Sequence, residues 1–285
     1  MSDRYRLGRS ELRRLLDEHD ISPSRALGQN FVADPNTVER IARLARVGAG
    51  DHVVEIGAGL GSLTLALAAT GADIIAVEVD RYLIPVLESL VPENVCVVHA
   101  DALELNFTEL LDNDAHYTLV ANLPYNVATP LVMTLLEHVP MITRMIVMVQ
   151  REVAERLAAV PGSRAFAGVT ARRSYFADAK IVGQVSAEVF IPKPHVASSL
   201  IEIVRLKDPA VDPQVAPYGE IAALIRAGFS SRRKMLRRAL SGLVDEEDFL
   251  SVGIAPTARA ETIDIAAWGK LAGWKRSQLN SQTQS

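Results

Sequence analysis

Residues 122–125, Asn-Leu-Pro-Tyr, could act chemically on an adenine amino group. Such a nitrogen is a poor nucleophile, because its lone pair is delocalised into the ring. The Asn122 side-chain oxygen and the main-chain carbonyl of Pro124 or of Leu123 could accept both amino hydrogens and draw the nitrogen towards tetrahedral geometry. The Tyr125 ring could stack on a base turned out of its helix. The tetrapeptide therefore predicts a site that methylates an amino group, with an ordinary β-turn as the alternative.

A second aromatic residue, Phe190, begins a segment that contains Pro192 and Pro194. Two prolines favour a rigid, extended loop. Such a loop could present Phe190 opposite Tyr125, so that the two rings enclose a base. Packing of Phe190 in the hydrophobic core is the alternative.

The elements that must position these residues alternate between apolar runs and helical patterns. Continuous apolar strands separated by helices are typical of a parallel sheet covered on both faces. The pattern predicts an α/β, Rossmann-like architecture, and two later runs around a Pro-rich turn (179–185 and 199–206) predict an antiparallel ending of the sheet. The predicted strands are 52–56, 73–78, 94–99, 117–121 and 141–150, and the predicted helices between them are 60–70, 81–90, 129–138 and 151–159.

Prolines 209, 213 and 217 mark a linker after this sheet. We therefore predict a catalytic domain over residues 1–206, with an N-terminal extension over 1–33. A small helical domain that contacts RNA follows over 207–276, and its predicted helices include 233–240. The polar segment 277–285 is expected to be disordered.

A glycine-rich loop, Gly57-Ala58-Gly59-Leu60-Gly61, lies where the first strand turns into the first helix. Glycines there allow the backbone to approach a ligand closely. Glu78 ends the second strand and could bind ribose hydroxyls, while Asp101 follows the third strand and could accept from an adenine amino group. A tight turn and a helix N-cap are the structural alternatives. Three such features at successive strand ends favour a nucleoside site, and the glycine spacing differs from that of dinucleotide-binding enzymes.

The sequence resembles the KsgA-type small-subunit ribosomal RNA adenine dimethyltransferases over about residues 27–271. The resemblance implies S-adenosyl-L-methionine as cofactor and the transfer of four methyl groups to the N6 atoms of two adjacent adenosines near the 3′ end of small-subunit (16S) rRNA. It places the cofactor contacts on Asn30, Val32, Gly57, Glu78, Asp101 and Asn122. Val32 and His195 stand where the family usually has Leu and Lys. The motifs that carry the resemblance are 27–31 (Leu-Gly-Gln-Asn-Phe), 54–59 (Val-Glu-Ile-Gly-Ala-Gly), 122–126 (Asn-Leu-Pro-Tyr-Asn), 190–198, 229–236 and 256–261.

A local basic run lies in the helical domain, although the whole chain has a net charge of −4. No acidic residue lies within this run, which favours a phosphate-binding surface over a solvated helix face. The predicted RNA contacts are Arg232, Arg233, Lys234, Arg237 and Arg238. We expect the partner to be small-subunit rRNA within an assembling 30S particle and the protein to be a monomer.

The remaining composition excludes several classes of site. A single cysteine, Cys96, excludes an intrachain disulfide and a Cys-based zinc site, and its apolar neighbours predict a buried thiol. The six histidines have no metal-ligand spacing, so no metal is expected. The N-terminus lacks the apolar segment of a signal peptide, and no run is long enough to span a membrane. A cytoplasmic protein is expected.

Two alternatives to a small-subunit dimethyltransferase stay open. The first is the related Erm-type enzyme, which methylates large-subunit rRNA and typically has Ile at the position of Leu123. The second is a ribosome-assembly factor that acts mainly by binding. It is compatible with methylation, and a catalytically inactive protein that still binds would separate the two roles.

Overall fold

The computed structural model describes residues 6–231 and 233–283 of the 285-residue chain. The side chains of Tyr125 and of residues 279–283 lie outside that description. The described residues form two compact units. The first contains the residues up to Ala154 together with Ala179–Val204, and the second contains Glu155–Asp178 together with the residues from Arg205 onwards. The sequence placed one boundary after residue 206, whereas the structure also assigns 155–178 to the second unit.

Strands and helices alternate through the first unit, as the sequence predicted. The described strands are β1 (Phe31–Val32), β2 (His52–Ile56), β3 (Asp73–Glu78), β4 (Val95–His99), β5 (Tyr117–Asn122), β6 (Ile142–Gln150), β7 (Ala177–Val185), β8 (Phe190–Ile191) and β9 (Ser198–Arg205). The described α-helices are α1 (Arg9–Glu18), α2 (Pro35–Ala45), α3 (Ser62–Ala68), α4 (Ile84–Leu90), α5 (Phe107–Leu110), α6 (Tyr125–His138), α7 (Arg151–Leu157), α8 (Gly168–Phe176), α9 (Tyr218–Phe229), α10 (Leu236–Ala239), α11 (Glu246–Ser251) and α12 (Ile265–Thr283).

Seven strands form one sheet in the order β4-β3-β2-β5-β6-β9-β7. The strands from β4 to β6 pair in parallel, and β9 runs antiparallel to β6. β-Branched and aliphatic side chains such as Val53, Leu119 and Val120 are fully buried, because helices cover the sheet on both faces. The Rossmann-like fold and its antiparallel ending are therefore confirmed.

The order of the strands reverses between β2 and β5, since the chain first builds the sheet outwards to β4 and then returns to the other side of β2. In open α/β sheets, ligands bind at such a switch point, beyond the carboxyl ends of the two strands. Here these ends are Ile56 and Asn122. The topology thus brings the glycine loop and the reactive tetrapeptide together.

Cys96 is exposed, so the prediction of a buried thiol is wrong. The reason is that β4 lies at the edge of the sheet. The apolar run of β4 is typical of an inner strand, and sequence periodicity does not reveal which strand is outermost.

Helix α6 begins at Tyr125, four residues before the predicted start at 129, and it continues through Pro130. Pro130 lies near the N-terminus of α6 and cannot donate to the carbonyl of Asn126. At the other end of the chain, α12 continues to Thr283 and so includes part of the segment 277–285 for which the sequence predicted disorder. The first turns of α12 are buried in the core of the second unit through Trp268 and Leu271. Residues 284 and 285 lie outside the described residues.

The second unit has its own core, built around Phe166, Phe249 and Trp268, each at most 1% exposed. Its helices α8 and α9 bury aromatic rings against each other, among them Tyr175 and Tyr218 at 4.9 Å between ring centroids. Among the described helices of the whole chain, none is long and apolar enough to cross a membrane.

Candidate active site

A cavity of about 280 Å³ lies at the switch point of the sheet, within the first unit. The N-terminal loop that precedes β1 forms one wall, and the glycine loop after β2 forms another. The ends of β3, β4 and β5 complete it. All six predicted cofactor residues line this cavity, and they are Asn30, Val32, Gly57, Glu78, Asp101 and Asn122.

The glycine loop shapes the cavity through its backbone path. Gly57 and Gly59 have φ angles of 75° and 60°, in the left-handed region that favours glycine. Their N–H groups are already used inside the protein: Gly57 donates to the Val77 carbonyl at 2.9 Å, and Gly59 donates to Glu78 Oε2 at 2.8 Å. The loop therefore provides close approach for a ligand, and its first N–H groups hold the loop against β3.

Glu78 ends β3 and is only 5% exposed. Its Oε1 accepts from the backbone N–H groups of Val79 at 3.0 Å and Asp80 at 2.9 Å, and its Oε2 accepts from Gly59. Burial raises the pKa of Glu78, and the three backbone hydrogen bonds oppose that rise. The carboxyl is fixed at the cavity wall, where the remaining lone pair of Oε2 can accept from a ribose hydroxyl.

A second carboxyl in the cavity wall, Glu55, was not predicted as a site residue. Glu55 is 1% exposed, and burial raises its pKa to about 8 against the lowering effect of the Thr64 hydroxyl, while nearby Glu78 raises it further. Its Oε2 has no hydrogen-bond partner among the described residues. The available signal was an acid inside an apolar strand, between Val54 and Ile56, because a buried acid without a structural partner often marks a functional site.

Asp101 follows β4 and is exposed at the rim of the cavity. Its Oδ1 accepts from the Leu103 N–H at 2.9 Å and caps a turn, whereas the alternative from the sequence was a helix N-cap. The residue still lines the cavity, and capping by one oxygen leaves the other available to a ligand.

The cavity wall contains the carboxyls of Glu55, Glu78 and Asp101 and, within the described residues, no Lys, Arg or His side chain. Such a lining lacks the cations that commonly hold phosphate groups, and its ionised carboxyls repel them. It attracts a positively charged ligand. This donor set fits a nucleoside whose other half is a cation, as in S-adenosyl-L-methionine, and does not fit a dinucleotide.

Asn122 ends β5 and connects this cavity to the reactive turn. Its Nδ2 donates to the main-chain carbonyl of Asn30 at 3.0 Å. The opposite end of the amide, Oδ1, is thereby left as an acceptor for a substrate. Asn30 in turn donates its own side-chain amide to the Gly28 carbonyl at 2.9 Å, which fixes the orientation of that side chain.

The structure separates the two carbonyls that the sequence left as alternatives. The Pro124 carbonyl accepts from the N–H groups of Val127 at 3.2 Å and Ala128 at 3.0 Å, because Pro124 is the N-cap of α6. The Leu123 N–H donates to Met148 at 3.0 Å, while its carbonyl accepts no hydrogen bond from the described part of the chain. Leu123 therefore offers the better acceptor, and Pro124 fixes the direction of the turn.

Tyr125 and Phe190 are the two aromatic residues that the sequence predicted to enclose the base. Tyr125 is the first residue of α6, and its side chain lies outside the described residues. Phe190 is 2% exposed, belongs to the hydrophobic core and does not line the cavity. Its backbone pairs with Val32 between β8 and β1, and the side chains of both residues are buried in the same core cluster. The structure thus realises the core-packing alternative for Phe190, and stacking on a base would require the ring to leave the core.

The predicted RNA contacts lie in the second unit, apart from Arg232, which is outside the described residues. Arg233, Lys234, Arg237 and Arg238 are exposed. The predicted helix over 233–240 is wrong, because α10 begins only at Leu236. The N–H of Leu236 donates to the Ala258 carbonyl at 2.7 Å, so the preceding turn cannot continue the helix backwards. Arg233 and Lys234 therefore lie in a turn. Arg237 forms an ion pair with Glu246, with 3.7 Å between Nη1 and Oε2.

The described residues contain no group of three or more His, Cys, Asp or Glu side chains that could hold a metal ion.

Comparisons with known proteins agree with this arrangement. A family model described as ribosomal RNA adenine dimethylase matches residues 22–276. The chain is 43% identical over 283 residues to ribosomal RNA small subunit methyltransferase A of Bifidobacterium longum subsp. infantis, a match that covers 93% of this chain and 92% of that protein. The crystal structure of a dimethyladenosine transferase from Plasmodium falciparum has a TM-score of 0.73 and 21% identity, with 88% of this chain and 97% of that chain covered. The crystal structure of the 23S rRNA methyltransferase ErmE has a TM-score of 0.66 and 21% identity, with 86% and 99% covered. At that identity, the two structures support the fold alone.

Proposed function

The chain belongs to the ribosomal RNA adenine dimethylase family, and from this premise we propose that it dimethylates the N6 amino groups of two adjacent adenosines near the 3′ end of small-subunit rRNA. It is an S-adenosyl-L-methionine-dependent methyltransferase. The observation that carries the proposed site is the Asn122 amide, which is oriented by Asn30 at the edge of an acidic cavity.

The cofactor supplies an electrophilic methyl group on a positively charged sulfur. We assign Glu78 to the ribose hydroxyls and Asp101 to the adenine amino group. Gly57 lets the loop turn beside Asn122 with a φ of 75°, a conformation that would strain any residue with a side chain. Asn30 and Val32 close the cavity from the N-terminal loop.

The target nitrogen is activated without a strong base. In the first transfer, Asn122 Oδ1 and the Leu123 carbonyl each accept one hydrogen of the amino group, so that its lone pair turns out of the ring and towards the methyl group. In the second transfer, one of the two accepts the remaining hydrogen. Preorganised acceptors of this kind cost no rearrangement when the reaction occurs. Each transfer replaces one N–H hydrogen by a methyl group and releases one proton to solvent. Tyr125 is proposed to stack on the extruded base.

The RNA partner is proposed from charge and from the relatives. Arg233, Lys234 and Arg238 are exposed, and a cluster of exposed cations binds phosphate groups. The relative from Bifidobacterium longum subsp. infantis is named for the small ribosomal subunit. We propose an assembling 30S particle as the substrate, a monomeric enzyme and the cytoplasm as its location.

The Erm-type alternative makes a different prediction about the substrate. Similarity to ErmE is limited to the fold, whereas the small-subunit relatives share 43% identity over nearly the whole chain. A role in ribosome assembly by binding alone can coexist with methylation.

The test is methylation of purified ribosomal subunits. We would incubate wild-type protein and Asn122→Ala with cofactor and with either 30S or 50S subunits that lack adenine dimethylation, and analyse the rRNA by mass spectrometry. The expected result is dimethylation of two adjacent adenosines in 30S subunits by wild-type protein only. Modification confined to 50S subunits would favour the Erm-type function. Absence of any modification in both would contradict a methyltransferase role.

A further inference from the structure

Gln29 connects two parts of the cavity wall through its side-chain amide. Its Oε1 accepts from the Ser24 N–H at 2.7 Å, at the start of the N-terminal loop. Its Nε2 donates to Asp80 Oδ2 at 2.7 Å. Asp80 belongs to the turn that follows β3, so the amide fastens the loop over 24–30 to that turn.

Asp80 is part of the support of Glu78. Its backbone N–H donates to Glu78 Oε1 at 2.9 Å, and its own Oδ1 accepts from the Tyr82 N–H at 3.0 Å. Asp80 therefore contacts Gln29 through its side chain and holds the Glu78 carboxyl, at the end of β3, through its backbone N–H. Any shift of Asp80 moves a donor to Glu78.

The residues on either side of Gln29 contact the reactive turn. A Cβ atom on Gly28 would lie 2.8 Å from Pro124 Cβ, so the loop packs directly on that proline. The Asn30 carbonyl accepts from Asn122. Three consecutive residues thus contact the turn after β5 on two sides and, through Gln29, the turn after β3.

We propose that Gln29 is a positioning residue that acts through Asp80 to fix Glu78 and the loop over 24–30, and that it thereby sets the affinity for S-adenosyl-L-methionine. The proposal rests on the assignment of Glu78 to the cofactor. Gln29 holds its partners by neutral amide chemistry, since its oxygen faces a donor and its nitrogen faces a carboxylate. A carboxylate at position 29 would keep the bond to Ser24 and would oppose Asp80.

This arrangement allows an exchange that restores every hydrogen bond. In the double variant Gln29→Glu/Asp80→Asn, the carboxylate introduced at position 29 would accept from Ser24 and from the amide introduced at position 80. That amide would still accept from Tyr82 through its oxygen. The net charge of the double variant equals that of the wild type. Gln29→Glu/Asp114→Asn has the same net charge, but Asp114 is exposed and remote from Gln29, so it serves as the matched control.

The experiment measures binding of S-adenosylhomocysteine by calorimetry, without RNA, and the unfolding temperature of the ligand-free proteins. We expect Gln29→Glu and the control to bind about tenfold more weakly than wild type, because a hydrogen bond to a charged group is lost. The double variant Gln29→Glu/Asp80→Asn should bind within about threefold of wild type. In methylation assays, Gln29→Glu should raise the KM for the cofactor and leave the KM for RNA unchanged.

Wild-type affinity of Gln29→Glu would overturn the proposal, as would a folded double variant that binds as weakly as the control. If Gln29→Glu does not fold, the cofactor affinity of the double variant, compared with that of the wild type, still tests the proposal. Because no RNA is present, a wrong assignment of the RNA target leaves this test intact. An error in the assignment of Glu78 would instead appear as unchanged binding by Glu78→Ala.

Discussion

The side chain of Asn122 and the backbone of Asn30 are joined by a 3.0 Å hydrogen bond between Nδ2 and the carbonyl oxygen. The two residues are 92 positions apart in the chain. Because the amide nitrogen is committed to Asn30, only the amide oxygen can face a substrate. The N-terminal loop therefore determines which end of the catalytic amide is presented.

Asn122→Ala removes one of the two proposed acceptors for the target amino group. We expect kcat to fall by at least about a hundredfold, since preorganised groups that act in the transition state have effects of this size. The dissociation constant for S-adenosylhomocysteine should change by less than about threefold. Single-turnover methylation and calorimetry measure the two quantities. Near-wild-type turnover would remove Asn122 from the mechanism.

Glu78→Ala removes the carboxyl assigned to the ribose. Hydrogen bonds to a charged group are worth about 1.5–3 kcal/mol, so cofactor binding should weaken by about one to two orders of magnitude. Glu88→Ala removes an exposed acid on α4, and its affinity should equal that of the wild type. Calorimetry with S-adenosylhomocysteine provides the comparison. Equal affinities for both variants would contradict the ribose assignment.

Glu55 should make the stability of the ligand-free protein depend on pH. Its pKa is raised from 4.5 to about 8, so the folded state holds a proton that the unfolded state releases. The contribution of Glu55 to stability is therefore complete below about pH 4.5 and is lost as pH rises to about 8, by at most about 5 kcal/mol.

Glu55→Gln should flatten this dependence between pH 5 and 8, as measured by urea unfolding at a series of pH values. Part of the slope should persist, because the pKa of Glu78 is also raised. Glu88→Gln, on the surface of α4, should leave the slope unchanged. An unaltered slope in Glu55→Gln would mean that Glu55 is ionised in the folded protein.

Lys234→Ala should reduce the salt dependence of binding to the small subunit. A lysine that contacts one phosphate contributes about one unit to the slope of log K against log salt. Lys207→Ala removes an exposed lysine outside the basic run and should leave the slope as it is. Arg237 should contribute less than Lys234, because it is paired with Glu246. Filter binding at several salt concentrations tests the difference, and equal slopes for both lysine variants would exclude Lys234 from the interface.

The sequence predicted the fold and most of the cavity wall, because both depend on local patterns. Apolar strand periodicity identified the parallel sheet, and the switch point then placed Gly57 and Glu78 with Asn122. What the sequence did not reveal depends on contacts between distant segments. Three features are of this kind: the hydrogen bond between Gln29 and Asp80, the burial of Phe190, and the hydrogen bond from the Leu236 N–H to Ala258, which prevents α10 from beginning earlier. Helix propensity alone favours the longer helix over 233–240.

The choice between the Leu123 and Pro124 carbonyls also required the structure. Both are adjacent in sequence and chemically equivalent. Only the start of α6 at Tyr125 assigns the Pro124 carbonyl to the helix. Likewise, the sequence shows an acid, Glu55, within the apolar strand β2, but it does not show that this acid is buried at the cavity.

The carboxyl groups in the cavity wall have a consequence for repeated turnover. Modification of two adjacent adenosines consumes four cofactor molecules, so the spent thioether must leave four times. That product has lost the positive charge on sulfur, and with it the attraction of Glu78 and Asp101 for that charge. The product keeps its ribose and adenine contacts with these carboxyls, so it is the loss of the charge alone that favours its exchange for a new methyl donor after each transfer.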